Sequence, residues 1–176
     1  MLEFFLIFVV TVTGVIFDVR YKKIPNLLTF PSMCIGIIFN SISSGMNGAM
    51  YSIGGLVLGT AFFTVPWLIG VMGAGDAKLV GAIGAFVGPK GIFIISLLTA
   101  LGGGIYALFL LLIYRTETKG VLRDIKNTFV IFVLSKKLEI GSEKEQQGRP
   151  KLCYGVAIAI GTLAYMVMEM TGYRFL

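Results

Sequence analysis

Two aspartates stand where a membrane-spanning chain has little use for them. Asp18 closes an apolar run and opens "DVRYKKIPN"; Asp76 sits in "GAGDAK", at the head of another. An ionisable side chain at the edge of hydrocarbon is costly, about 2.5–3.5 kcal/mol at a helix centre and less toward the interface. Two at one depth suggest a shared role. Carboxylates held close cannot both ionise at modest cost, so they share a proton and titrate as a pair. The ionised member can take a proton from water while the protonated member donates to a scissile carbonyl oxygen, which amounts to peptide hydrolysis without a covalent intermediate. Which of the two is the base is not fixed by the sequence. In the simpler reading each is a solvated helix-end residue, Asp76 capping its helix and Asp18 pairing with Arg20 or Lys22.

The rest of the chain offers few rival chemistries. Histidine is absent, which removes imidazole-based triads, histidine metal sites and histidine proton relays. Cys34 and Cys153 lie far apart with no CxxC, so no zinc set is expected and both read as buried small apolar residues. No metal and no other cofactor is therefore expected.

The elements that must position the aspartates are membrane helices. Of 176 residues 56% are hydrophobic and 14% charged, with mean hydropathy +0.89, whereas a soluble domain carries about 25% charged residues. At about 20 apolar residues per crossing, the chain is predicted to be an all-α integral membrane protein with about six spans. These run Leu2 to Phe17, Leu27 to Ile42, Ala49 to Met72, Asp76 to Gly88, Gly91 to Tyr114 and Leu152 to Met170. Both aspartates then fall at the same depth.

Thirteen of the fifteen basic residues lie in alternate loops on the side of the two aspartates, with Lys90 and Arg174 opposite. By the positive-inside rule that side is cytoplasmic and both termini are outside. The net charge of +6 is thus a topology signal, and no nucleic-acid partner is expected. The first run has no basic n-region and no small-residue cleavage site, so it reads as an uncleaved helix. The polar segment Arg115 to Lys151 is predicted to be a cytoplasmic loop carrying one interfacial helix over 121–134, followed by a solvated linker.

Most of the 23 glycines read as close helix packing. Gly73 and Gly75 differ, because they flank a charged residue at the end of a span, where the chain turns. Lys78 reads as a headgroup anchor that could also bind substrate backbone. Pro25 and Asn26 read as the turn and cap opening the second span.

Three motifs in order carry a resemblance over nearly the whole chain. "GAGDAK" matches the GxGD motif of the type IV prepilin peptidases, membrane aspartic proteases; "DVRYKKIPN" is similar to their first aspartate motif. "CYGVAIAIG", Cys153 to Gly161, looks like their Pro-Tyr-Gly-x-Ala-Ile-Ala segment, with Cys153 in place of proline. The resemblance implies Asp18 and Asp76 as the catalytic pair, with Gly73, Gly75, Lys78, Pro25 and Asn26 shaping the site. It implies a single membrane domain over 1–176 in the cell membrane, acting on prepilin-like substrates and cutting after glycine behind a short basic leader. The larger members' N-terminal extension with paired CxxC motifs is missing, so the chain resembles the short peptidase-only branch associated with tight-adherence pili or archaeal-type preflagellins, and methyl transfer is not expected. The lipid bilayer is the other partner; whether the chain forms a homo-oligomer is left open.

Two readings compete. In one the aspartates form the proton relay of a small transporter or channel subunit, but the internal repeat common in transporters is missing. In the other they only cap helices of a structural subunit.

Overall fold

The computed structural model describes residues 2–68, 72–113 and 154–172, and the described chain is all helical: α1 Leu2–Tyr21, α2 Asn26–Leu68, α3 Ala74–Ile113 and α4 Tyr154–Met170. Among the described residues three helices are long and apolar enough to cross a membrane, namely α1, α2 and, within α3, Ala74–Ile105. The predicted loop over 115–151, its interfacial helix and Cys153 lie outside the described residues.

α1 and α2 leave large apolar side chains on the surface, among them Phe5, Leu27, Ile42 and Val57. In water so much exposed hydrocarbon would be a liability; in lipid it is the solvated face. Cys34 belongs to that surface and is exposed. The expectation that it is buried is overturned, because a thiol gains nothing by leaving a solvent as apolar as the interior.

Three boundaries depart from the sequence reading. α1 runs to Tyr21 rather than ending near Asp18, which places the aspartate one turn inside the helix. Two of the predicted inter-span loops are breaks of one or two residues inside α2 and α3. In α2 the backbone leaves the helical region at Ser44 and Gly45, the latter at φ 60°. In α3 it does so at Gly88, φ 69°, immediately before Pro89. Glycine tolerates that left-handed φ, and proline suits the first position of the helix that resumes.

Both breaks turn the chain back on itself. Asn40 Nδ2 donates to Ser52 Oγ at 2.9 Å, twelve residues on, where a straight helix would separate them by about 18 Å. The side chain of Ile92 lies against Gly59, as does the carbonyl of Val80, so the two arms of α3 meet on one glycine. The first arm of α3 forms the core: Leu79, Val80, Ala82, Ile83, Ala85 and Phe86 are almost wholly enclosed. Gly55 and Gly84 approach so closely that a side chain at either would strike the other's carbonyl, the small-residue contact that substitutes for hydrophobic driving force in lipid.

The break at Gly88 frees the last carbonyls of that arm, and Pro89 has no N–H to return. α2 satisfies them. Ser52 Oγ donates to the Ala85 carbonyl at 2.7 Å, Asn40 Nδ2 to the Phe86 carbonyl at 3.0 Å, and the Tyr51 hydroxyl to the Val87 carbonyl at 2.6 Å. Replacing Asn40 by leucine should therefore destabilise the fold by about 1–3 kcal/mol, the cost of buried carbonyls left without donors. A lowered thermal midpoint in detergent would register it, whereas an unchanged midpoint would mean that the clamp contributes nothing.

Candidate functional site

Four helix ends meet at one end of the bundle: the last turn of α1 and the first turns of α2, α3 and α4. The packing that aligns them starts on α1. Its buried residues Ile7, Val10, Thr11, Gly14 and Asp18 fall on one helical face, so Asp18 points inward with the apolar stripe. At Gly14 that stripe meets α3, where an added Cβ would lie 2.8 Å from Leu79 Cδ2. Asp18 is one turn beyond Gly14 and Asp76 about one turn before Leu79. The helices run in opposite directions at this contact, so both steps lead to the same end.

Both aspartates are nearly enclosed, Asp18 7% and Asp76 6% exposed, and the charge of Asp18 is within electrostatic reach of Asp76. Each is held at one oxygen by a backbone N–H. The Gly155 amide, in the first turn of α4, donates to Asp18 Oδ2 at 2.9 Å. The Gly73 amide donates to Asp76 Oδ2 at 3.2 Å, and the Asp76 amide returns a bond to the Gly73 carbonyl at 3.1 Å. Asp76 thus sits in the first turn of α3, its carboxylate reaching back to the residue before the helix, rather than in the flanking capping position of the simpler reading. Asp76 Oδ1 is buried and, among the described residues, has no hydrogen-bond partner.

The other predicted site residues gather around this pair. A Cβ on Gly75 would stand 3.0 Å from that of Ile24, so its bareness lets α3 press on the α1–α2 connection. The Pro25 carbonyl accepts from the Leu28 and Thr29 amides and so opens α2. Lys78 Nζ donates to Asn26 Oδ1 at 2.8 Å and lies 5.4 Å from the Phe30 ring centroid. It ties α3 to α2 instead of pointing at either aspartate's oxygens. An open groove of about 460 Å³, lined by Phe17, Tyr21, Lys23, Ile24, Pro25 and Asn26, runs along the α1–α2 connection.

Gly155 is the residue to which the sequence alone assigns no role. Its signal is a glycine at the start of the last apolar run in "CYGVAIAIG", but nothing in the order of residues says that its amide meets a side chain 137 positions away.

The arrangement supplies two buried carboxyl groups, each with one oxygen anchored, and no third acidic, histidine or cysteine side chain groups with them to hold a metal among the described residues. A profile of the type IV leader peptidase family matches residues 4–108 of this chain, a stretch containing both aspartates. The prepilin leader peptidase/N-methyltransferase of Xanthomonas campestris pv. campestris is 35% identical over 104 residues, covering 56% of this chain and 36% of that protein. The protein of the same description from Escherichia coli K12 is 32% identical over 120 residues, covering 63% and 52%. That from Aeromonas salmonicida is 34% identical over 104 residues, covering 54% and 35%. The chain thus spans between about a third and a half of the length of the curated relatives it matches. No solved structure matches it.

Proposed function

This chain belongs to the type IV leader peptidase family, and on that footing we propose that it is a membrane aspartic endopeptidase removing the short basic leader of type IV-like prepilins. The observation that carries the reading is the pair itself: two enclosed aspartates from different helices, each anchored at one oxygen by a backbone amide. Each of these bonds would also serve a helix end as a cap, but capping alone does not call for two enclosed carboxyls within electrostatic reach of each other, one of them with an oxygen that has no partner among the described residues.

The chemistry uses both carboxyls at once. One, ionised, takes a proton from water as the water oxygen adds to the scissile carbonyl carbon; the other, protonated, gives its proton to the carbonyl oxygen. Collapse of the resulting diol returns one hydroxyl proton to the second carboxyl and expels the amine, which takes up the proton that the first had removed from water. Only this proteolytic step is assigned to these residues.

We further propose six crossings, each arm of α2 and α3 spanning separately, with both termini outside and the aspartates at the cytoplasmic face. The reversals at Gly45 and Gly88 support the count, and thirteen basic residues on one side of it support the orientation. The remaining polar sequence, Arg115 to Lys151, then forms one cytoplasmic loop.

Coexpression with a candidate prepilin and mass spectrometry of the product is the direct test. The expected result is loss of the leader by a single cut, and an uncut prepilin would overturn the reading. The same reaction in detergent should proceed unchanged in EDTA, because the two carboxyls supply both base and acid. Inhibition that a divalent ion reverses would place a metal in the mechanism.

A further inference from the structure

The two aspartates are not equivalent in their surroundings. Asp18 Oδ2 accepts the Gly155 amide at 2.9 Å in a buried contact, and that amide belongs to the first turn of a 17-residue helix. A helix N-terminus presents partial positive charge and unshared N–H groups, both of which favour an anion; Asp76, in the first turn of α3, accepts the Gly73 amide in the same way, so the difference between the two lies at the remaining oxygen. Asp76 Oδ1 is buried without a donor among the described residues. A negative oxygen in that state carries the desolvation cost of a charge with no compensating bond, and a proton on it removes the cost.

The bareness of Gly155 also bears directly on Asp18. A Cβ placed on it would meet Asp18 Oδ2 at 2.8 Å, Asp18 Cβ at 2.9 Å and Asp18 Cγ at 3.2 Å. The three nearest atoms all belong to the aspartate. The missing side chain is what lets the amide reach the carboxylate.

Resting on the peptidase reading, we infer that Gly155 is a positioning residue that fixes Asp18 as the ionised, water-activating member of the pair and leaves Asp76 as the protonated one. Asp18 takes the proton from water as the water oxygen bonds to the carbonyl carbon, and the proton on Asp76 Oδ1 passes to the carbonyl oxygen. The last helix therefore contributes to the chemistry through its backbone. The third motif, "CYGVAIAIG", thereby acquires a physical role, since it delivers an amide to the aspartate of the first.

Two measurements test the assignment. A hydrophobic carbodiimide adds to a protonated carboxyl and rearranges to a stable acylurea, which peptide mass spectrometry can locate. In the unmodified protein the adduct should form on Asp76 in preference to Asp18; the reverse preference would overturn the assignment. In Gly155→Ala the methyl group should push Asp18 off its donor, spreading the adduct over both aspartates. Its kcat for prepilin cleavage should fall at least about tenfold with KM nearly unchanged, since misplacement of a reacting group costs rate rather than binding. A variant as fast as the parent, or one that loses only KM, would remove Gly155 from the mechanism. Labelling needs no turnover. A parent protein that labels at Asp76 yet cuts no prepilin would sink the peptidase reading and leave the asymmetry standing, whereas one that cuts prepilin but labels at Asp18 would sink this inference alone.

Discussion

Asp18→Asn and Asp76→Asn should each lower the rate of leader removal by about 10²–10⁴-fold, to below detection in a coexpression assay, while the protein still inserts and accumulates. Asparagine keeps the size of the side chain and one acceptor oxygen. The Gly155 amide can still donate to position 18 and the Gly73 amide to position 76, so the two anchoring bonds survive the change. What is lost is the proton chemistry. An amide can neither take the proton from water nor give one up at useful cost, and with one carboxyl gone the other has no partner with which to share. The two losses should therefore be similar, and the double variant should be hardly worse than either single one, because the pair acts as a unit. Leader loss followed by mass spectrometry reads the activity, and the thermal midpoint in detergent reads the fold. Glu117, Asp124 and Glu143, in the segment predicted to be a solvated loop, should tolerate the same change. Retained cleavage in either aspartate variant would remove that residue from the dyad.

The aspartates can be singled out in the sequence because membrane chains are poor in charge and because the residues around them carry a pattern. Ile7, Val10, Thr11, Gly14 and Asp18 share the buried face of α1, but a helix apolar on every side does not show in its sequence which face that is. Apolar run length points to an all-helical membrane protein. The turns are harder, because composition gives a break without a loop no weight. The reversals at Gly45 and Gly88 each need only a glycine with positive φ, and nothing in a run of apolar residues distinguishes those two glycines from the many that pack helices. Contacts between distant positions are out of reach for another reason. The Lys78–Asn26 bond and the Gly155–Asp18 bond depend on which helix ends meet, a property of packing. Cys34 is misplaced by a rule made for water: burial preferences for free cysteine come from proteins whose outside is polar, and this one's outside is lipid.

Replacing the residue before the cut in the substrate, expected from the family resemblance to be glycine, with leucine should block processing, lowering the rate by at least about a hundredfold. The reason lies in how little room the pair leaves. Asp18 and Asp76 are 7% and 6% exposed, so a peptide bond reaches them only as extended backbone pressed close to both carboxyls. The bundle's own chain makes the same demand: at Gly155, whose amide bonds Asp18, a single added carbon would lie 2.8 Å from the carboxylate oxygen. A glycine flanking the scissile bond lets the carbonyl approach as that amide does, and a branched side chain holds it off. The proposed cytoplasmic placement adds a second expectation. If the pair sits where a substrate helix emerges from the inner leaflet, the recognised features are the basic leader, the glycine and the first turn of the hydrophobic segment, while the far end of that segment lies a membrane's thickness away. Shortening the far end should therefore change cleavage little. Mass spectrometry of coexpressed prepilin variants separates the alternatives, since sensitivity to the far end together with indifference to leucine before the cut would mean that the enzyme cleaves within the helix and not at its mouth.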